Sequence, residues 1–289
     1  MSSAIISLLS GLGGMFGWGI YDFFAGIYSK KIGPYKTLFW SQLAGLIFVL
    51  LLISVFTFTF DIPVWIIFLL PIAAIFYSAG YLFFMKGFEV GNISIVAAIM
   101  NLWAVFTMLI AFIFMGQRLS ALQSIGVTMI ISGAVLASLN WSDIKNKRFQ
   151  LSAGVKETVL GAFFFGVFWN ISEVISEKIG WLPTTIFVKI GIILFLLLLS
   201  FLIKRELCLT EASPKTKLMV VLMGIIEAGA VAIVNFGLTI GDAILITPIA
   251  SALSVVTITM AVIFLKDNIT KLQGLGIITA ISGIIATGF

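Results

Sequence analysis

Ten apolar stretches, each near the length of a bilayer span, run through this chain of 289 residues. A helix crosses the hydrocarbon core with roughly 20 apolar residues, satisfying its backbone polar groups internally. Such windows lie at 4–28, 37–58, 64–86, 92–115, 120–140, 155–176, 183–203, 217–239, 243–265 and 271–289. Charged and turn-forming residues divide them: Lys30, Lys31, Gly33 and Pro34; Asp61 and Pro63; Glu89, Gly91 and Asn92; Gly116, Gln117 and Arg118. The pattern predicts an all-α integral membrane protein of ten transmembrane helices. The first window has no basic region before it, no clear small-residue cleavage site after it, and Asp22 at its far end. It reads as a retained helix rather than a signal peptide.

Composition narrows the function classes. The chain is 61% hydrophobic and only 10% charged, where soluble domains carry about a quarter charged residues. It has no His and one Cys, Cys208. An intrachain disulfide is therefore excluded, no zinc, haem or other cofactor is expected, and the commonest general base of enzymes is missing. No G-x-x-x-x-G-K-[ST] phosphate loop occurs, and an enzyme is not expected. The net charge of +5 sits in loops, which reads as membrane topology rather than nucleic-acid binding.

Loops after odd-numbered windows hold Lys30, Lys31, Lys36, Lys86, Lys145, Lys147, Arg148, Lys156, Lys204, Arg205, Lys215, Lys217, Lys266 and Lys271; those after even ones hold Arg118 and Lys178. The positive-inside rule places the odd loops in the cytoplasm of a multi-pass plasma-membrane protein, with both termini outside. The longest polar stretch, 142–157, falls mid-chain. It divides the sequence into a first half, 1–141, a basic linker, 142–157, and a second half, 158–289.

The halves are copies. At a shift of 150, Gly87 meets Gly237, Gly91 meets Gly241, Thr107 meets Thr257, Phe114 meets Phe264, Gln123 meets Gln273, Gly126 meets Gly276, and Ser132-Gly133 meets Ser282-Gly283, without a gap. Shared hydrophobicity alone does not align glycines and glutamines. Earlier in each half, YSKKIG (28–33) matches ISEKIG (175–180) at a shift of 147, which sets Gln42 opposite Lys189. Five helices per half is an odd number, so the second half is expected to cross the membrane in the opposite sense. Inverted repeats of this kind recur in secondary transporters.

These features resemble the drug/metabolite transporter superfamily, specifically its EamA-type group, over nearly the whole chain. The resemblance rests on Trp18-Gly19 in the first helix and on the ending of each half. The first ends with Phe114 to Ser120, Gln123, Gly126 and Gly133; the second with Phe264 to Thr270, Gln273, Gly276 and Gly283. Pro248 matches the family's fourth-helix proline, which is Ala98 in the first half. The family's Glu is Gln117 in one half and Asp267 in the other, and its second-helix basic residue is Gln42 in one and Lys189 in the other. The resemblance implies transport of a small solute and favours export; a sugar or metabolite importer is the alternative. From another class, a non-transporting structural or receptor protein is weighed against it, and the repeat argues for transport.

Ionisable groups at a helix centre cost about 2.5–3.5 kcal/mol on insertion scales. Four therefore stand out: Asp22, Glu173, Lys189 and Glu227. Glu227 lies mid-helix among Gly224, Ala228, Gly229 and Ala230, which permit close helix approach. It is read as facing a central cavity and binding a substrate ammonium or a proton; a structural carboxyl is the alternative. Lys189 either pairs with an acid or a solute anion, or snorkels to the interface. Asp22 and Glu173 read as interfacial. Asn170 lies one turn deeper beside Trp169. A second tier of candidates comprises Tyr77 (the repeat counterpart of Glu227), Tyr81, Asn101, Trp103, Trp18, Trp40, Gln42 and Asn235. Trp65, Trp141 and Trp181 at helix ends read as interfacial belts, and Gly13 and Gly17 as a packing GxxxG. The expected partners are a small-molecule solute and the lipid bilayer, with no nucleic acid, for a monomer or weak homodimer.

Overall fold

The computed structural model describes residues 3–56, 61–90, 99–138, 154–266 and 270–287. Expectations resting on Gly91, Asn92, Ala98, Trp141, Asp267 and the linker residues before 154 lie outside these. The described elements are helices: α1 (Ser3–Ile32), α2 (Pro34–Leu52), α3 (Val64–Val90), α4 (Leu102–Phe114), α5 (Ala121–Ser138), α6 (Val155–Ile179), α7 (Trp181–Leu202), α8 (Pro214–Leu238), α9 (Ala243–Ser251), α10 (Leu253–Met260) and α11 (Lys271–Thr287). Among the described residues, seven spans are long and apolar enough to cross a membrane; one of them, Ala243–Phe264, comprises α9, α10 and part of a π turn at Ala261–Leu265. The helices α4, α5 and α11 are shorter apolar helices. The sequence reading took 243–265 as one helix. It is divided at Ala252, one turn after Pro248: Ala252 N donates to Ile249 O (3.2 Å) rather than to Pro248 O, and Ser251 Oγ donates to the Pro248 carbonyl (2.7 Å).

The helix ends repeat the sequence duplication in atomic detail. Gly33 and Gly180, at the shift of 147, link the first and second helices of each half with φ/ψ of 86°/148° and 82°/165°. A side chain at either position would be strained. Thr37 and Thr184 donate to the carbonyls of these glycines at 2.8 and 2.7 Å. At the shift of 150, Ser120 and Gln123 form a capping box, with Ser120 N donating to Gln123 Oε1 (3.0 Å) and Gln123 N to Ser120 Oγ (3.2 Å). Thr270 and Gln273 do the same at 3.0 and 3.3 Å. The paired glutamines therefore start the last helix of each half by satisfying its free N–H groups.

Glycines set the helix contacts. A Cβ on Gly13 or Gly17 would stand 2.6 Å from Ile233 Cγ2 or Ala230 Cβ, so the GxxxG face of α1 lies on α8. A Cβ on Gly224 would stand 2.2 Å from Ser41 O, and one on Gly45 2.7 Å from Gly224 O, so α2 and α8 touch backbone to backbone. The pairing of α5 with α11 is reciprocal: Gly126 faces Gly283 O, and Gly133 faces Gly276 O. Since 126 corresponds to 276 and 133 to 283, these two equivalent helices run antiparallel. Large apolar side chains such as Phe68, Phe114 and Phe201 point outward, Phe201 being 82% exposed. Meanwhile Gln42, Asn101, Asn170, Glu173, Lys189, Glu227 and Asn235 are buried. That inside-out distribution fits a lipid surround.

Candidate functional site

Four side chains from four helices close a ring in the middle of the bundle. Lys189 Nζ on α7 donates to Glu227 Oε2 on α8 at 2.6 Å and to Gln42 Oε1 on α2 at 2.9 Å. Gln42 Nε2 donates to Tyr77 Oη on α3 at 3.4 Å, and Tyr77 Oη donates to Glu227 Oε1. All four are at most 2% exposed. Gly45 makes the ring possible, since its missing Cβ would stand 3.3 Å from Lys189 Nζ. The ring consists of two repeat-related pairs: Gln42 with Lys189 and Tyr77 with Glu227. Lys189 thus takes the paired form rather than reaching for the interface. A lone buried charge is costly, but an ion pair with its remaining donors and acceptors satisfied is tolerated.

Aromatic side chains wall the ring. Tyr77 packs on Tyr81 (centroids 5.1 Å apart), Phe168 (4.9 Å) and Phe165 (5.3 Å). Tyr21 lies edge-on to Tyr81 at 6.3 Å and shares a 3.2 Å hydrogen bond with Ser41. Beyond them Trp18, Trp103 and Trp169 meet as a trio, at 5.1 Å (Trp18–Trp169) and 6.2 Å (the other two pairs).

Two further polar centres flank this core. Ser172 Oγ on α6 donates to Asn235 Oδ1 (2.8 Å), and Asn235 Nδ2 on α8 donates to Thr185 Oγ1 on α7 (2.9 Å), tying three helices of the second half. Glu173, read from sequence as interfacial, is fully buried. Its Oε1 accepts from Ala243 N (3.0 Å) and Gln117 Nε2 (2.7 Å), while Gln117 Oε1 accepts from Ile244 N (3.1 Å). The two side chains together occupy the first two N–H groups of α9, those of Ala243 and Ile244, where the helix dipole favours a carboxylate. The N-cap residue itself, Asp242, makes no side-chain cap. Asn170 Nδ2 donates to Thr107 O (3.1 Å) and Gly166 O (2.8 Å), joining α6 to α4. Asn101 is buried ahead of α4. The structure does not bring half-buried Asp22 into the ring. Trp40 is occupied elsewhere, donating to Leu207 O at 2.6 Å across the α7–α8 loop.

A family model for EamA-like transporters matches twice, over residues 5–139 and 153–289. The chain belongs to the EamA-like transporter family. Each EamA repeat contributes two members of the ring, Gln42 and Tyr77 from the first, Lys189 and Glu227 from the second. A solved crystal structure superposes on this EamA chain with a TM-score of 0.76, covering 99% of it and 95% of the other chain, at 16% sequence identity. That likeness concerns the fold alone. Comparison with curated proteins gives no match. EamA membership makes the chain a multi-pass membrane transporter of small solutes.

Sequence reasoning named all four ring residues and Asn235 but missed Tyr21, which lies edge-on to Tyr81, and the partners of Asn235, Ser172 and Thr185. It treated Gln117 as a helix-end motif only. The signal for Gln117 was present, since it occupies the position of the family's acidic residue.

Proposed function

We propose that this EamA-family chain is a secondary transporter with ten membrane spans in two inverted five-helix repeats. It exports a small metabolite or drug-like solute across the plasma membrane by alternating access, coupled to protons. One observation carries the reading: the repeat-related pairs Gln42/Lys189 and Tyr77/Glu227 converge in one buried ring. Residues equivalent by sequence meet this way when they flank a two-fold axis between the halves. The antiparallel, reciprocal glycine contacts of α5 and α11 support the same axis. Inverted halves around such an axis give two related states, one open to each side, with the solute site between them.

In this reading Glu227 is the switch. Its carboxylate holds Lys189 by a 2.6 Å ion pair and accepts from Tyr77. A proton or a cationic solute group on Glu227 competes with Lys189 and loosens the contact between α7, α8 and α3. Gln42 keeps one partner for the Lys189 ammonium as this happens. The aromatic walls supply apolar surface for the solute body. The lysine-rich odd loops orient the bundle with those loops in the cytoplasm.

The test is Glu227→Gln in reconstituted vesicles. The variant is expected to express and fold but to lose coupling to a pH gradient. Unchanged transport with unchanged pH dependence removes Glu227 from the mechanism. Net inward movement of the solute under the physiological gradient would favour the importer alternative.

A further inference from the structure

One face of α6 carries unpaired polar atoms outside the ring. Asn170 Oδ1, Glu173 Oε2 and Trp169 Nε1 are buried without a hydrogen-bond partner. A buried polar atom left without a partner is costly. The two acceptors are rigidly held. The Nδ2 of Asn170 is fixed by Thr107 O and Gly166 O, and the Oε1 of Glu173 by Gln117 and the first N–H of α9. The free oxygens are thus directed by bonds the side chains already make. Residues 170 and 173 stand three apart on one helix, where side chains are neighbours, about 5–6 Å between Cβ atoms. One ammonium group, with three donors, can bridge that gap.

The surrounding charge points the same way. The carboxylates of Glu177, on the next turn of α6, and Asp242, before α9, are exposed near Glu173. Arg118, next to Gln117 in sequence, is turned away: its Nη1 donates to Phe112 O (2.7 Å) and Gln117 O (2.8 Å), and its guanidinium lies 4.0 Å from the Phe112 ring centroid. Lys178 is exposed at the end of α6. Beside the two acceptors, Trp169 is buried against its partners Trp18 and Trp103. Aromatic faces attract cations and bury apolar groups.

We propose that Asn170 Oδ1 and Glu173 Oε2, beside the Trp169 cluster, form a second binding site that takes the primary ammonium of an amine with an apolar body. It lies apart from the Lys189–Glu227 ring. The transporter reading enters only in giving the site a place on the solute's route, and binding is measured without transport.

The probes are phenethylammonium, tetramethylammonium, which has no N–H donor, and phenylacetate, which has the opposite charge. Each is titrated against the purified full-length protein in detergent, following thermal unfolding and tryptophan fluorescence. Phenethylammonium is expected to raise the unfolding temperature and change the fluorescence, and the other two to do neither. Glu173→Gln is expected to weaken phenethylammonium at least tenfold. Should that variant not fold, Asn170→Ala, which leaves the α9 cap in place, is expected to weaken it several-fold. Equal binding of tetramethylammonium, or wild-type affinity in the folded variants, overturns the site. Loss of binding in Glu227→Gln with retention in Glu173→Gln also overturns it, by moving the probe to the ring. A failed titration leaves proton-coupled transport of another solute class intact, since that is read in vesicles.

Discussion

Removing one member of the buried ion pair is the sharpest perturbation of the ring. In Lys189→Met, Glu227 keeps Tyr77 as its donor but loses the 2.6 Å contact with Nζ. Both groups are at most 1% exposed, so water does not replace the missing partner. Breaking a buried pair from one side costs about 3–5 kcal/mol. At roughly 2–4 °C per kcal/mol for a chain of a few hundred residues, the unfolding temperature falls by about 6–20 °C. Glu227→Gln, which strands the ammonium with two amides, is expected to fall within the same range. The double variant Lys189→Met/Glu227→Gln removes both charges and keeps a partner for Tyr77. Replacing a whole buried pair is often close to neutral, so it is expected to regain most of the lost stability. The assay is thermal unfolding of the purified protein in detergent, followed by the fluorescence of the buried Trp18, Trp103 and Trp169. Losses that simply add in the double variant, or single variants as stable as the parent, would refute the pairing.

Other expectations follow from the packing. Gly224→Ala sets a Cβ 2.2 Å from the Ser41 carbonyl, which is backbone and cannot swing away, whereas Gly229 has open space. The first substitution should destabilise by about 1–3 kcal/mol and Gly229→Ala by no more than about 0.5 kcal/mol, read as unfolding temperatures. Gln117→Ala removes its hydrogen bonds to Ile244 N and Glu173. It should cost about 1–2 kcal/mol, as lost helix caps do, and speed amide exchange at Ala243 and Ile244; unchanged exchange there would contradict the cap. Cys208 is exposed in the α7–α8 loop, and hydrogen bonding with Thr210 holds its thiol below the ordinary value. Thiolate is therefore present at lower pH than for a free cysteine. An impermeant maleimide should label it efficiently near neutral pH from the cytoplasmic face only, and labelling from outside intact cells would reverse the proposed orientation.

Much of the architecture was legible because bilayer physics writes it plainly. An apolar run of about 20 residues has few alternatives to a spanning helix, and gap-free glycines and capping glutamines mark a duplication at single-residue precision. Legibility failed where the reason was three-dimensional. The shifts of 147 and 150 paired Gln42 with Lys189 and Tyr77 with Glu227, yet a shift says nothing of whether the paired residues meet in space. Contact among all four depends on Gly45 and Gly224 letting α2 and α8 meet. Glu173 was read as interfacial from its distance to a polar loop. It is buried because Gln117, 56 positions away, and the start of α9, 70 positions away, supply its donors. The break after Ser251 was not legible either, since it lies in local hydrogen bonding: Ala252 N donates to Ile249 O and Ser251 Oγ takes up the Pro248 carbonyl.

Reconstituted vesicles test the central claim most directly. The purified protein is sealed in liposomes with a pH-sensitive dye inside, and a panel of small solutes is offered under inward, outward and zero proton gradients. At least one solute is expected to cross against its own gradient when protons flow down theirs, with the dye reporting opposed proton movement, and Glu227→Gln is expected to abolish both signals. Correctly folded protein that moves no solute and no protons under any gradient would contradict the account.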